Sequence, residues 1–192
     1  MPDITHYWPF INDTIDIIGK SNLTASKPTM SSDRFNNQLN AIRVSNISNF
    51  LTAPPNIYFY SVNSTLTAWI KLSSCGQHSR LIDFGNGPNT NNIFLCISYE
   101  LSCKLSSAIH QGNNVLNFVV SPFPFDMGNW YHIAAVYTGS NVKLFINGSL
   151  VAQGATYPIN VSNRTISYVG RSQWEFNGDQ SINLYKNIKK FK

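Results

Sequence analysis

The sequence is short of charge. Asp, Glu, Lys and Arg make up 12% of its 192 residues, and Glu100 and Glu175 are the only glutamates. It also lacks long apolar runs: nothing approaches the roughly 20 residues that a bilayer-spanning helix needs, so no membrane insertion is expected. Met1 to Phe10 has no apolar signal-peptide core. The chain therefore reads as cytoplasmic, as a mature form, or as a piece of something longer. Generic catalytic signatures are missing as well. His6, His78, His110 and His132 fall in no His-Glu-x-x-His pattern, and there is neither a Gly-x-Ser-x-Gly elbow nor a Gly-Lys-Thr phosphate loop. His132, inside Trp130-Tyr-His, reads as a hydrogen-bonded structural histidine.

The net charge of +5 comes largely from one end. Lys186, Lys189, Lys190 and Lys192 crowd the last seven residues, and without them ten basic side chains face nine acidic ones. The body of the chain thus shows no electrostatic footprint for nucleic acid, and the tail reads as a solvated end.

Cysteine is scarce and odd in number: Cys75, Cys96 and Cys103 cannot all pair within one chain. None has zinc-ligand spacing. If Tyr99-Glu100 is a two-residue turn, Cys96 and Cys103 become cross-strand neighbours, which predicts a disulfide between them. Cys75 with Cys103, or three reduced thiols, are the alternatives.

What is present is the material of an all-β protein. Apolar residues make up 43% of the chain, enough for one well-buried domain. Much of the rest is Asn, Ser and Thr, which end strands and build turns. From Asn40 onward, β-branched and aromatic runs alternate with Gly, Pro, Asn and Ser at the rhythm of a sandwich. Strands are predicted over 40–45, 56–61, 65–72, 80–84, 93–98, 103–110, 115–120, 130–138, 142–146, 150–153 and 166–169. Asn147-Gly148 supplies the two positive-φ residues of a type I′ hairpin turn. Leu66, Ala68, Ile70 and Leu72 alternate toward a core, leaving Trp69 on the other face. Seven Asn-x-Ser/Thr sequons, at Asn12, Asn22, Asn46, Asn63, Asn147, Asn160 and Asn163, favour secretion mildly, because a chain this rich in Asn, Ser and Thr produces several by chance.

Five blocks then occur in a telling order: Leu66-Thr-Ala-Trp-Ile-Lys71, Leu81-Ile-Asp-Phe-Gly-Asn-Gly87, Trp130-Tyr-His-Ile-Ala-Ala-Val-Tyr137, Lys143-Leu-Phe-Ile-Asn-Gly148 and Tyr168-Val-Gly-Arg-Ser172. They resemble the successive core strands of laminin G-like, concanavalin A-like jelly-roll domains, and His6-Tyr-Trp-Pro-Phe10 is similar to that family's opening strand. The resemblance implies a two-sheet antiparallel β-sandwich spanning 1–192, with an N-terminal strand and loop over 1–39. The end is atypical. Where members close with a strand carrying two acidic residues, Lys186 and Asn187 stand here, near the start of an expected last strand at about 182–192.

Calcium is the cofactor this resemblance suggests, and it needs several oxygen ligands, usually with two or more carboxylates. In the pentraxin relatives, an Asp-Asn pair and an acidic cluster after a Leu-Gly supply them. The matching positions are Asn91-Asn92 and, after Val169-Gly170, Arg171-Ser-Gln-Trp174, so Asn92 and Gln173 are kept in kind while the carboxylates are gone. Asp83, Asn91 and Asn92 are the candidate metal ligands. Asp83 has an equal structural reading, accepting backbone N–H bonds at a strand end.

The hydrolases of this fold carry Glu-x-Asp-x-Glu or Glu-x-Asp-x-x-Glu on one strand, because retaining hydrolysis needs two carboxyls about 5.5 Å apart. That spacing is missing, and no enzyme is expected. The expected function is a non-catalytic, extracellular or cell-surface recognition module for glycans or glycoproteins. Trp174, Gln173 and Asn92 are its candidate contacts, with Trp174 as the stacking aromatic. A protein-interaction or spacer domain of a larger adhesion protein is the alternative, and a glycoside hydrolase relative lacking its catalytic carboxylates is the third reading.

Overall fold

The computed structural model describes residues 4–26, 29–44, 48–112, 114–115, 117–174 and, as backbone alone, 184–191. Among these residues, sixteen strands form two eight-stranded sheets. The first sheet contains β1 (His6–Trp8), β3 (Thr29–Ser31), β4 (Ala41–Val44), β6 (Ser64–Leu72), β12 (Trp130–Thr138), β13 (Asn141–Ile146), β14 (Ser149–Ala155) and β16 (Leu184–Phe191). The second contains β2 (Thr24–Ser26), β5 (Phe50–Ala53), β7 (Ser79–Gly85), β8 (Ile93–Ser98), β9 (Lys104–Gln111), β10 (Asn114–Val115), β11 (Val119–Pro124) and β15 (Ile166–Val169). Every pairing is antiparallel, and no α-helix occurs among the described residues. The all-β sandwich expected from the residue pattern is the observed architecture.

The first sheet runs β14-β13-β12-β6-β16-β4-β3, with β1 also paired to β16. The atypical last strand is therefore central: its backbone pairs β6 from Leu184↔Leu72 to Phe191↔Thr65 and β4 from Leu184↔Val44 to Lys186↔Ile42. The second sheet runs β10-β9-β8-β7-β15-β5-β2, with β11 also on β9.

Alternation sets the core. Leu66, Ala68, Ile70 and Leu72 of β6 are buried against Ile93, Leu95 and Ile97 of β8 in one cluster, while Trp69 lies half-buried on the far side of its sheet. Asn147 and Gly148 take φ of 50° and 83°, the left-handed pair that a type I′ turn between β13 and β14 requires.

Two expectations are corrected. No strand forms over 56–61; the pairing segment is Phe50–Ala53, ahead of Pro54-Pro55. Pro54 and Pro55 lack the backbone N–H that would continue the ladder, and Tyr58 and Phe59, both fully buried, fill the core from an unpaired segment in which Asn56 contributes an isolated bridge to Arg164. The disulfide joins Cys75 to Cys103, not Cys96 to Cys103. The turn is the reason. Cys96 pairs with Ser106, so the β8–β9 connection has five residues, 99–103, instead of two, with Glu100, Leu101 and Cys103 at positive φ. Cys103 thus sits in the loop with its Cα 5.5 Å from that of Cys75. Cys96 keeps a fully buried thiol, whose pKa burial raises; the opposing pull of the nearby Arg80 cation is smaller, and the thiol is inert.

Candidate functional site

The sequence candidates converge on Asp83, in the middle of β7. Its carboxylate is fully buried. Oδ1 accepts from Asn92 Nδ2 at 3.1 Å and Gln173 Nε2 at 3.2 Å, and Oδ2 accepts the Gln173 backbone N–H at 3.0 Å, with Arg80 Nε 3.8 Å away. The two amides are themselves pinned. Asn92 Oδ1 accepts from Thr90 N–H at 2.8 Å, and Gln173 Oε1 accepts from Gly87 N–H at 2.8 Å. Gln173 Nε2 also donates to the carbonyls of Asp83 and Ile166, at 3.1 and 2.8 Å. One glutamine thereby ties the loop after β15 to the loop after β7. Gly85 makes room for this: a Cβ there would stand 2.5 Å from Asn92 Nδ2.

Asn91 is not part of the cluster. It adopts φ 56°, its Oδ1 accepts from Asn160 Nδ2 at 3.3 Å, and its carbonyl accepts from Arg164 Nε at 3.2 Å. Arg164 is buried, which lowers its pKa to about 10 and leaves it cationic at neutral pH; it also donates to the carbonyls of Ser162 and Asn160. It knots the loops behind the rim.

These residues do not fit a calcium ion. Calcium needs oxygen lone pairs directed inward from several groups. Asp83 is the single carboxylate of the cluster, its oxygens already receive N–H donors, and the carbonyl oxygens of Asn92 and Gln173 are taken by backbone N–H groups. Among the described residues, no group of three or more His, Cys, Asp and Glu could hold a metal. The amide hydrogens of Asn92 and Gln173 stand where a cation's charge would be needed. Addition of EDTA or of millimolar calcium should accordingly move the melting temperature by less than about 1 °C, whereas a ligand at 100 times its Kd adds about 2.7 kcal/mol. A calcium-dependent rise of several degrees in a thermal scan would contradict this account.

Trp174 is half-buried on the outer face of the second sheet. Its ring lies 6.0 Å from Phe94 and 5.1 Å from His110, and the Arg80 guanidinium is 4.2 Å from the Phe94 ring centre. Arg80 also donates to Cys96 Sγ. Burial, then the Arg80 cation, lowers the His110 pKa, so its imidazole is neutral at pH 7.

Next to Gln173 the rim opens into a pocket of about 180 Å³, lined by Gly87, Pro88, Ile166, Tyr168, Arg171 and Ser172. Tyr168 forms its aromatic wall, and it is held edge-on to Phe50 at 5.4 Å, with the Arg171 guanidinium 4.3 Å from Phe50 and 5.0 Å from Tyr168. The pocket therefore combines an aromatic ring and a cation on a floor that the Asp83 cluster immobilises, and the buried Ser172 Oγ accepts the Trp174 backbone N–H at 3.1 Å beneath it. Tyr168 is not among the sequence candidates, although the residue lies in the Tyr168-Val-Gly-Arg-Ser172 block. The signal was its place on the strand, opposite Asp83 and so on the outer face.

The family model for the concanavalin A-like lectin/glucanase superfamily matches residues 15–182. The chain belongs to this superfamily. No curated protein matches the sequence. Among solved structures, domain 4 of AbnA, a GH43 extracellular arabinanase from Geobacillus stearothermophilus solved in complex with arabinotriose, is similar. Its TM-score is 0.74 at 16% identity, over 100% of this chain and 93% of that one. The carbohydrate-binding module CBM66 of Bacillus subtilis gives 0.52 at 11% identity, over 88% and 95%. The binding domain of botulinum neurotoxin serotype C1 gives 0.69 at 12% identity; it covers 98% of this chain, which spans 48% of that one. At these identities the likeness is one of fold alone.

Proposed function

We propose that the chain is a non-catalytic saccharide-recognition module of a secreted or surface-exposed protein, holding one sugar ring in the rim pocket. The observation that carries the reading is the pocket's construction. About 180 Å³ is the space of roughly six waters, suited to a single ring, and it is walled by Tyr168 and edged by Arg171 and Ser172. An aromatic face packs against the apolar face of a sugar, while the guanidinium bonds its hydroxyls. The buried amides beneath keep these groups in place before the ligand arrives, which reduces the ordering cost of binding. The fold neighbours, which include a carbohydrate-binding module and an arabinanase domain holding arabinotriose, support the class of ligand. The Cys75–Cys103 disulfide supports an oxidising compartment.

A glycan array followed by calorimetric titration tests this reading. Tyr168→Ala should weaken binding of the best saccharide about tenfold or more, the equivalent of about 1.4 kcal/mol, while the melting temperature stays within a few degrees. An array on which the parent chain binds nothing would overturn it. One observation favours protein docking instead: a larger groove of about 480 Å³ runs between edge strands β11 and β14, with Phe123 and Leu150 exposed nearby. Under that alternative, the saccharide array is blank.

A further inference from the structure

A second pocket lies on the outer face of the first sheet. Trp130 pairs with Lys71 and His132 with Trp69 across β12 and β6, so these four side chains share one face, away from the core residues Ile70 and Ile133. The loop after β3 folds over this face. Asp33 shapes it: Oδ1 accepts from the N–H groups of Phe35 and Asn37 at 2.8 and 3.0 Å, and Oδ2 accepts from Asn37 Nδ2 at 3.0 Å. Arg34 is thereby laid over two rings, 3.8 Å from the centre of Phe35 and 4.3 Å from that of Trp69. Between loop and strands is a cavity of about 270 Å³ lined by Ser31, Ser32, Asp33, Asn36, Lys71 and Trp130.

Two hydroxyls, a carboxamide and an indole around one cavity are groups that receive a sugar ring. The charges narrow the choice. Lys71 lines the cavity, Arg34 follows the lining residue Asp33 in the chain and packs on Trp69, on the same face as Lys71, and Arg43 stands in the same cross-strand row as Lys71 through Tyr185. The acid among the lining residues is Asp33, whose oxygens are already engaged by three N–H donors. Packing over two rings limits the orientations of a guanidinium whose planar donor fork suits a carboxylate.

We propose that this pocket binds a saccharide bearing a carboxylate. Lys71 and Arg34 hold the acid group, Trp130 packs on the ring, and Ser31, Ser32 and Asn36 bond its hydroxyls. The site is distinct from the rim pocket, since Tyr168 is on the outer face of the opposite sheet and the core lies between them. The inference stands without the rim reading, and the two fail separately.

The test is calorimetry on the full chain with digalacturonate and sialyllactose as acidic probes and lactose as the neutral control. At least one acidic probe should bind saturably, more weakly as salt rises, and shift the indole N–H resonance of Trp130, assigned by its loss in Trp130→Phe. Lys71→Gln and Arg34→Gln should each lower the affinity about tenfold or more, while Lys71→Arg restores part of it. Tyr168→Ala should leave the acidic probes bound. The proposal is overturned if neither acidic probe binds, if lactose shifts the Trp130 indole resonance with the same affinity, or if Tyr168→Ala abolishes acidic-probe binding while Lys71→Gln preserves it.

Discussion

Asp83→Ala lowers the melting temperature by roughly 10 °C, the expected consequence of losing about 3–5 kcal/mol in a chain of this size. The magnitude follows from what the carboxylate satisfies. Asn92 Nδ2, Gln173 Nε2 and the Gln173 backbone N–H all donate to it in a fully buried position, and Arg80 stands 3.8 Å away. Removing the acceptor leaves these donors without it and leaves a buried guanidinium without its counter-charge. Cutting one partner from a buried charged network costs far more than the network is worth against an apolar replacement. The damage also reaches the proposed rim pocket, because the same glutamine spans the two rim loops. Saccharide binding at the rim should therefore fall further than in Tyr168→Ala. Thermal unfolding by circular dichroism checks the first effect and calorimetry the second. A drop below about 3 °C would mean that water or neighbouring carbonyls take over the donors.

The architecture was readable because it rests on repeating signals. The alternation of Leu66, Ala68, Ile70 and Leu72, and the Asn147-Gly148 tip, describe local geometry that neighbouring residues determine among themselves. Where the reading failed, the outcome depended on residues distant in the chain. Tyr58 and Phe59 look like strand material but fill the core as adjacent plugs, Tyr58 against Phe84 with ring centres 4.7 Å apart. The five-residue turn that moves Cys103 away from Cys96 uses left-handed Glu100 and Leu101, neither of which marks such a turn by residue type. At the site, Asp83, Asn92 and Gln173, named separately as metal and ligand candidates from the family pattern, lie in one hydrogen-bonded cluster. The pattern could not show that their hydrogen bonds point inward to one another, since Asn and Gln can offer either an oxygen or N–H groups. Arg34, Lys71 and Trp130 form no group in the sequence, because the loop that brings Ser31 and Asn36 to Lys71 and Trp130 takes its shape from the hydrogen bonds of Asp33.

A second buried carboxylate follows the same logic and carries a pH dependence. Asp16 accepts the backbone N–H groups of Tyr7, Ile18 and Gly19 on Oδ1, and that of Ser21 together with His6 Nδ1 on Oδ2, the last at 2.6 Å. This one side chain closes the segment that follows β1 and fastens it to the strand. Burial alone raises the Asp16 pKa, but the bonds from Tyr7, His6, Gly19 and Ser21 outweigh it and hold the carboxyl below its ordinary value of 3.8. The folded chain thus binds this proton less readily than the unfolded chain does. The stabilisation is present above about pH 4 and is lost as the pH falls through the lowered folded value. Asp16→Asn should cost about 3 kcal/mol or more at pH 7, because an NH₂ then faces donors that a carboxylate accepted. It should also flatten the acid limb: the stability gap between parent and variant, measured by urea unfolding, narrows as the pH drops below about 4. A gap that stays constant from pH 7 to pH 3 would remove Asp16 from the acid response and place its cost in packing alone.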